Sequence, residues 1–519
     1  MIKQHLTKPQ KWITAGIFLV FLLVGLFAAD DYGIAWDEPN QQEIGKLNFD
    51  YMVGKSDSLI TYHDRFYGAA FEWPLFAIQK ALHIEQESTI YHLRHIITHV
   101  LFITSLGFFF ALSFKLFQNF KLSVLGILML YLHPRIFAHS FFNSKDLVFL
   151  SVFIIGLYTL FLLIEKPNQK RIFIHAAISS FLIGTRILGI VLPFISLLIF
   201  IPTLLNGRKT FSNNLKTLSI YFGSIILLIH IFWPALWTDP FLLGKSFLRM
   251  SHFPFQYDVL FQGNLIPATQ IPWNYIPVWI GITTPPFILL LSIIGFIWLI
   301  RDYIKSPEQA FNSKKQWFIL VIATFPIDFS LLLVFINSTL YDGWRQLFFL
   351  YPMIVIAALY AFQQIENSLK TKNILLYTVY GFLSLFIFLS ALKIYKLHPY
   401  EQVYFNHFVS KKNENRRKSF EMDYWGLSYY EGINYVVHND SSKVITICFA
   451  NAAGINNLLL LPPRERARIH ITKHPRQADY FITNYRYHPN DYEYKNEVFK
   501  VERDQNRILS VFKINNHNN

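Results

Sequence analysis

This sequence is poor in cysteine and in charged residues. Its 519 residues include a single cysteine, Cys448, so neither an internal disulfide nor a cysteine-based metal cluster can form. Charged residues make up 15% of the chain, whereas a soluble protein would carry about a quarter. A P-loop, a His-Glu-x-x-His zinc motif and a Gly-x-Ser-x-Gly elbow are also missing, so an enzyme of this sequence would need a substrate that is activated without a nucleotide.

Hydrophobic residues are abundant instead, at 53% of the chain, and they fall into long runs. About 20 helical residues cross a hydrocarbon core roughly 30 Å thick, and backbone amides in lipid must be paired within helices. The runs predict an all-α polytopic membrane protein with about eleven transmembrane helices. The predicted spans are 13–29, 94–114, 122–139, 147–164, 172–186, 187–205, 217–237, 276–300, 316–336, 345–363 and 373–394.

The distribution of Lys and Arg predicts the orientation. The first span resembles a signal peptide, but the many spans after it favour an uncleaved helix. The stretch 172–205 is either one tilted helix or two short ones. The distribution of positive charge favours two helices, because that topology gives 17 Lys and Arg to the predicted cytoplasmic segments and six to the short outer segments. The N-terminus is then cytoplasmic and the C-terminus extracytoplasmic. The net charge of +14 belongs to these loops, which argues against nucleic-acid binding.

The chain divides into two predicted domains. Residues 1–397 form the transmembrane domain, whose long first outer loop, 30–93, contains an interfacial helix over 66–82. Residues 398–519 are polar and form a small α/β extracytoplasmic domain, with strands at 444–450 and 480–484 and a hairpin over 497–514.

Several acidic and basic residues gather in the predicted outer loops. A carboxylate there can act as a general base, but Asp37 can equally be a helix cap facing water. Asp146 suits the first turn of a helix that Asn143 or Ser144 would cap. That explanation leaves the nearby basic residues His133, Arg135, His139 and Lys145 unexplained, and such cations can hold a phosphate.

Three further features have two interpretations each. Arg186 either snorkels at a helix junction or binds phosphate. Asp342 and Arg345, three residues apart, either form a local ion pair or belong to a site. Asp328 and His230 fall within spans and are expected to face a polar interior, as pathway residues or as hydrogen-bonded links between helices.

The motifs resemble those of the C-type glycosyltransferases, near the dolichyl-phosphate-mannose protein mannosyltransferases and the lipid A aminoarabinose transferase, in an uncharacterised bacterial branch. The resemblance lies in the segments Trp36 to Glu38, His133 to Asp146, Tyr341 to Arg345, His398 to Asn406 and Asp423 to Ser428. It implies a glycosyltransferase that moves a hexose or pentose from a polyprenyl-phosphate donor to a lipid, glycan or protein acceptor. The implied location is a bacterial cytoplasmic membrane, and the chemistry would serve protein glycosylation or lipopolysaccharide modification.

The resemblance also implies roles for particular residues. Asp37 corresponds to the base that deprotonates the acceptor, and Asp146 to a second catalytic acid. The expected substrate-binding residues are Glu38, Arg135, His139, Lys145, Arg186, Asp342 and Arg345. No cofactor and no metal ligand is predicted, and dependence on a divalent metal is left open. The alternatives are a transporter or flippase for a lipid-linked saccharide, and a membrane sensor or scaffold.

Overall fold

The computed structural model describes residues 6–514 except 206–207, 240, 252 and 254. Within that part, eight helices are long and apolar enough to cross a membrane, or up to nine if one bent helix pair is a single span. This is the build of a multi-pass membrane protein, while the number of about eleven spans stays a prediction. The eight segments are Lys8–Ala28, Glu87–Phe117, Asp146–Glu165, Ser212–Phe232, Pro286–Lys305, Lys314–Phe335, Arg345–Leu369 and Asn373–Leu397.

Two predicted spans are interrupted at prolines. The span predicted over 122–139 consists of two helices, Phe120–Tyr131 and Pro134–Phe142, which meet at an angle of 65°. The span predicted over 276–300 is divided into Tyr275–Thr283 and Pro286–Lys305, with Thr284 extended before Pro285. Proline lacks an amide donor and disfavours a helical residue before it, so each helix ends there and a new one begins.

The stretch 172–205 forms two helices, as predicted, with the break next to Arg186. The first is Gln169–Thr185, and the second, Val191–Leu205, follows a 3-10 turn at Ile187–Ile190. Both are shorter than the eight spanning helices, at 17 and 15 residues. The orientation derived from this division stays a prediction.

The expectation for Asp328 and His230 was wrong. Both lie within long helices, but their side chains are exposed on the helix surface instead of facing a polar interior. The side chain of His230 bonds to Ile226 O of its own helix. Neither residue lines a pathway between the helices that the structure describes.

The segments between the long helices contain short helices and one hairpin. The interfacial helix predicted over 66–82 is present over Glu72–Ala81, after turns at 66–71. Strands β1 (Asp258–Phe261) and β2 (Asn264–Pro267) pair antiparallel in a region whose fold was not predicted. The remaining helices of these segments are Glu38–Met52, Ser58–Thr61, Leu242–Ser251 and Pro307–Asn312.

The C-terminal part carries a five-stranded mixed sheet in the order β4-β3-β5-β7-β6. The strands predicted at 444–450 and 480–484 and the predicted hairpin are all present. Their bounds are β3 Ile445–Phe449, β4 Ile469–Ile471, β5 Tyr480–Thr483, β6 Glu497–Arg503 and β7 Asn506–Lys513. The helix Tyr429–Asn439 packs closely on the sheet through Gly432, where a Cβ would lie 2.5 Å from Leu509. Further helices are Asn415–Ser419, Ala452–Asn457 and Pro463–Arg466.

The C-terminal part holds the first outer loop by backbone contacts. The Trp36 N–H donates to Trp425 O at 3.0 Å. The Asn457 side chain accepts from the Ile34 N–H at 2.9 Å and donates to Ile34 O at 3.0 Å. These bonds fix the backbone just before Asp37 against residues about 400 positions later in the chain. The division at residues 397 and 398 coincides with the end of the last long helix, at Leu397, and stays a prediction as a domain boundary.

Candidate functional site

Asp37 occupies the N-cap position of the helix Glu38–Met52, but its side chain makes no capping hydrogen bond. The residue is half-buried, and among the described residues its carboxylate has neither a hydrogen-bond nor an ion-pair partner. It lies within electrostatic range of Lys145, Arg186 and Arg345. A carboxylate in this position is free to accept a proton beside a group of cations.

Lys145 is the second charged group without a direct partner. Its Nζ lies 3.4 Å from the centre of the Tyr67 ring, and no carboxylate is paired with it in the described part of the chain. Burial and the charge of Arg186 lower the pKa of Lys145 to about 7, while the charge of Asp37 acts in the opposite direction. The ammonium group is therefore only partly protonated near neutral pH.

Asp146 lies between two arginines. It accepts a hydrogen bond from Arg345 Nη1 at 2.8 Å and one from Asn143 Nδ2 at 3.0 Å, and it forms an ion pair with Arg186. This carboxylate is fully engaged, so its geometry is that of an anchor for two guanidinium groups. Arg186 keeps 19% of its side chain exposed, whereas Arg345 keeps 5%.

Asp342 extends the same row of charges. It accepts from Arg345 Nη2 at 3.0 Å, which is the local pair that the three-residue spacing allows, and from Arg486 Nη2 at 3.0 Å. Asp342 and Gly343 have φ angles of +57° and +72°, so the chain makes a left-handed turn before the 3-10 helix that carries Arg345. We call Asp37, Lys145, Asp146, Arg186, Asp342, Arg345 and Arg486 the charge cluster; its four cations exceed its three carboxylates when Lys145 is protonated.

Asn143 helps to fix the start of the helix that carries Asp146. Asn143 Oδ1 accepts from the N–H groups of Lys145 and Asp146, at 3.2 and 2.8 Å, and so caps the helix Asp146–Glu165. Of the two caps considered from the sequence, Asn143 is the one used. Ser144 donates to Glu72 at 2.6 Å instead. Asp146 then stands in the first turn, where the helix dipole favours a negative charge.

Glu38 has a different environment from its neighbour. It is buried, accepts from the Ala35 N–H at 2.7 Å and bonds to His95 Nε2 at 3.0 Å. The structure therefore does not place Glu38 in the charge cluster. Its contacts hold the loop that carries Asp37 against the helix Glu87–Phe117.

Arg135 and His139 lie on the buried helix Pro134–Phe142. The Arg135 guanidinium stacks between Trp279 and Phe405, 5.3 and 4.8 Å from their ring centres, and has no ion-pair partner among the described residues. His139 bonds to the Asn143 side chain at 2.9 Å, so it supports the charge cluster indirectly. Neither side chain reaches the partly exposed face that Asp37 and Arg186 occupy.

Aromatic residues complete the site, and they were not among the predicted site residues. The Arg345 guanidinium lies 5.1 Å from the Tyr341 ring centre and 4.7 Å from that of Trp425. Burial raises the pKa of Tyr67 and of Tyr341, so both phenols stay protonated donors. Tyr341 and Trp425 belong to motifs that carried the family resemblance. Nothing in the sequence pointed to Tyr67 or to Arg486, because each lies far along the chain from the residue that it contacts, Lys145 for Tyr67 and Asp342 for Arg486.

The carboxylates and imidazoles of the described chain are not arranged for a metal ion. No group of three or more His, Cys, Asp or Glu side chains converges there. Asp146 and Asp342 are paired with arginines, which compete with any cation for their oxygens.

Comparison with solved structures identifies the fold of the chain. No protein-family model matches it, and no curated protein matches its sequence. Among solved structures it shares the fold of an oligosaccharyltransferase, which agrees with the C-type glycosyltransferase fold that the motif resemblance implied.

The particular structure is the apo form of an oligosaccharyltransferase from Archaeoglobus fulgidus. It aligns with a TM-score of 0.51 and 10% identity over 90% of this chain and 66% of that one. An oligosaccharyltransferase from the same organism with an inhibitory peptide and a dolichol-phosphate aligns over 91% and 70% at a TM-score of 0.46 and 9% identity. The shared fold rests on the first alignment, and function has to be argued from the site.

Proposed function

We propose that this protein transfers a sugar from a polyprenyl-phosphate donor to an acceptor at the extracytoplasmic face of the membrane, with Asp37 as the general base. One observation carries the proposal: the Asp37 carboxylate has no direct partner among the described residues, yet it lies beside an excess of positive charge. A free base next to cations is what displacement of a phosphate from an anomeric carbon requires.

The reaction assigns a role to each side of the cluster. Asp37 takes the proton of the acceptor nucleophile, whose lone pair forms a bond to the anomeric carbon. The bond from that carbon to the phosphate oxygen breaks, and the polyprenyl phosphate leaves with the electron pair. Lys145 and the partly exposed Arg186 are the cations best placed to stabilise this leaving group, because neither is fully enclosed.

The other predicted residues act through these groups. Asp146 and Asp342 hold Arg186, Arg345 and Arg486 in a fixed row, so they are positioning residues in this scheme. Glu38 and His139 hold the loop and the helix turn that present Asp37 and Asp146. Arg135 packs between Trp279 and Phe405. We keep the bacterial cytoplasmic membrane, with the N-terminus inside, as the proposed location, since it places the charge cluster on the outer face.

The experiment uses the purified protein in liposomes with a radiolabelled polyprenyl-phosphate sugar and membrane extract as the source of acceptor. The wild type is expected to move label from the donor to an acceptor, and Asp37→Asn to lose this activity by about 10²- to 10⁴-fold. Asp30→Asn is the matched control, because Asp30 lies in the same loop with 73% of its side chain exposed. Equal transfer by the wild type and Asp37→Asn would contradict the assignment of the base.

The same assay tests the alternative of a transporter or flippase. A transporter would move labelled lipid between leaflets without consuming it, and it would not depend on Asp37. The exposed positions of Asp328 and His230 remove the intramembrane polar residues that favoured this alternative.

A further inference from the structure

A second polar cleft lies next to the charge cluster, between the β1–β2 hairpin and the C-terminal part. It encloses about 410 Å³ of empty space including its mouth, with room for about one water-sized group. Its walls combine acidic, basic and aromatic side chains, among them Glu421, Asn484, Tyr485, Arg486 and Tyr487.

Two polar atoms in this cleft lack partners. Glu421 is 8% exposed, and its Oε2 accepts no hydrogen bond from the described residues. Arg486 donates to Asp342 and to Tyr424 O through its two terminal nitrogens, but its Nε has no acceptor within the described chain. A buried polar atom without a partner costs about 1–3 kcal/mol, so the pair indicates a ligand or a bound water.

The missing partner of this pair must both donate and accept. An acceptor oxygen on Glu421 and a donor nitrogen on Arg486 fit a hydroxyl group, which has one proton to give and lone pairs to receive. Glu421 and Arg486 line the same cleft, so a group bound there lies beside both side chains. An alkyl chain offers neither function.

Aromatic rings connect the mouth of this cleft to the charge cluster. The Tyr487 ring stacks on Tyr257 with a centroid distance of 4.6 Å, and Phe255 stacks on Tyr341 at 3.9 Å. Phe255 and Tyr257 lie 5.7 Å apart. We call Tyr341, Phe255, Tyr257 and Tyr487 the aromatic track. It begins under Arg345 in the charge cluster and ends where Tyr487 lines the cleft.

Arg486 also contacts residues of both the charge cluster and the cleft. Its guanidinium lies 4.9 Å from the ring centre of Trp36, the residue before Asp37, and 4.8 Å from that of Tyr487. Asp342 bonds both Arg486 and Arg345. A molecule with one end in the cleft therefore lies next to the base.

From this arrangement we infer that the acceptor is a saccharide, which lies on the aromatic track and places one distal hydroxyl between Glu421 and Arg486. The inference rests on the proposed function and specifies its acceptor. A sugar ring has a face of C–H groups that packs on aromatic rings and a rim of hydroxyls that both donate and accept. A lipid tail would leave the charged walls of the cleft unsatisfied.

The test offers three acceptor classes to the full-length protein in liposomes with the labelled polyprenyl-phosphate donor. They are a set of defined hexose and N-acetylhexosamine oligosaccharides, a set of peptides containing Ser, Thr and Asn, and phospholipid vesicles. Label is expected on an oligosaccharide. Tyr257→Ala, which removes a ring that is 53% exposed, is expected to raise the KM for that oligosaccharide about tenfold and leave the KM for the donor unchanged.

Phe408→Ala is the matched control, since Phe408 is 69% exposed and lies outside the aromatic track. Glu421→Ala, which removes both acceptor oxygens, is a second variant, and it is expected to raise the same KM with unchanged donor KM. Label on peptide or lipid alone, or a labelled saccharide whose KM is the same in both variants, would overturn the inference while the proposed function stands. A wild type that never consumes the donor would overturn the proposed function itself.

Discussion

Asp37 and Glu38 are adjacent in the sequence, yet the structure gives them opposite environments. Glu38 is buried and bonded to His95 and to the Ala35 N–H, whereas the Asp37 carboxylate has no direct partner among the described residues. The first arrangement stabilises the loop, because a buried charge with its hydrogen bonds satisfied holds its neighbours in place. The second leaves a carboxylate available to a substrate. One position in the sequence separates a structural acid from a candidate base.

The basic residues show the same contrast. Arg94 is 3% exposed and pairs with the buried Glu72 at 2.5 Å. Lys145 has only an aromatic ring beneath it and two distant carboxylates. Complete pairing therefore marks the charged residues that stabilise the fold, and incomplete pairing marks those that we propose to face the substrate.

The strongest test of this contrast removes the anion that holds two arginines. Asp146→Asn keeps the shape of the side chain but leaves Arg186 and Arg345 without their shared carboxylate. We expect the free energy of unfolding to fall by about 3–5 kcal/mol, because breaking a buried ion pair strands its partner. Thermal unfolding of the purified protein measures the loss. Glu502→Gln, at the exposed pair of Glu502 and Lys500, is the control and should change it by less than about 1 kcal/mol.

A second test compares the two neighbouring acids directly. Glu38→Gln should lower the free energy of unfolding by about 1–3 kcal/mol, since it weakens two buried hydrogen bonds. Asp37→Asn should change it by less than about 0.5 kcal/mol, because no described bond is lost. Thermal unfolding of both variants under identical conditions decides. Equal destabilisation by the two variants would mean that both acids have a structural role.

The pH dependence of donor binding tests the incomplete pairing of Lys145. Its pKa is lowered to about 7 by burial and by Arg186, so its charge is lost as the pH rises through 7. If Lys145 binds the donor phosphate, the KM for the donor should rise above pH 7, by at most about tenfold per pH unit. Lys145→Arg keeps the charge and should give a flatter profile. The same rise in that variant would assign the titration to another group.

The smallest expected effect concerns Glu421 in the cleft. Burial, with a contribution from Asp342, raises its pKa to about 8 from 4.5. Between pH 4.5 and 8, Glu421 is ionised in the unfolded chain but protonated in the folded chain. The free energy of unfolding therefore falls as the pH rises through this range and levels off above pH 8. The slope is at most about 1.4 kcal/mol per pH unit. Glu421→Gln should flatten it in thermal unfolding between pH 5 and 9, and an unchanged slope would show that Glu421 is ionised in the fold.

The sequence predicted more of the fold than of the site. The strands at 445–449 and 480–483 and the last hairpin follow from local hydrophobic patterns and turn residues. The two-helix division at Arg186 follows from the distribution of Lys and Arg. The breaks at Pro134 and Pro285 were missed because composition alone does not show that an apolar run bends. The sequence indicated Asp37, Lys145, Asp146, Arg186, Asp342 and Arg345, which the structure brings together. It also indicated Glu38, Arg135 and His139, which the structure places elsewhere.

By itself, the sequence determined that this chain is a multi-pass membrane protein with polar segments between its apolar helices, since hydropathy is a property of short stretches of chain. Only the tertiary structure decided which charges are paired. Arg345 meets Asp146 across 199 positions and Arg486 meets Asp342 across 144, and no local pattern encodes such contacts. The free state of Asp37 is likewise a result of packing, because a carboxylate becomes available when every nearby cation is held by another acid or directed elsewhere.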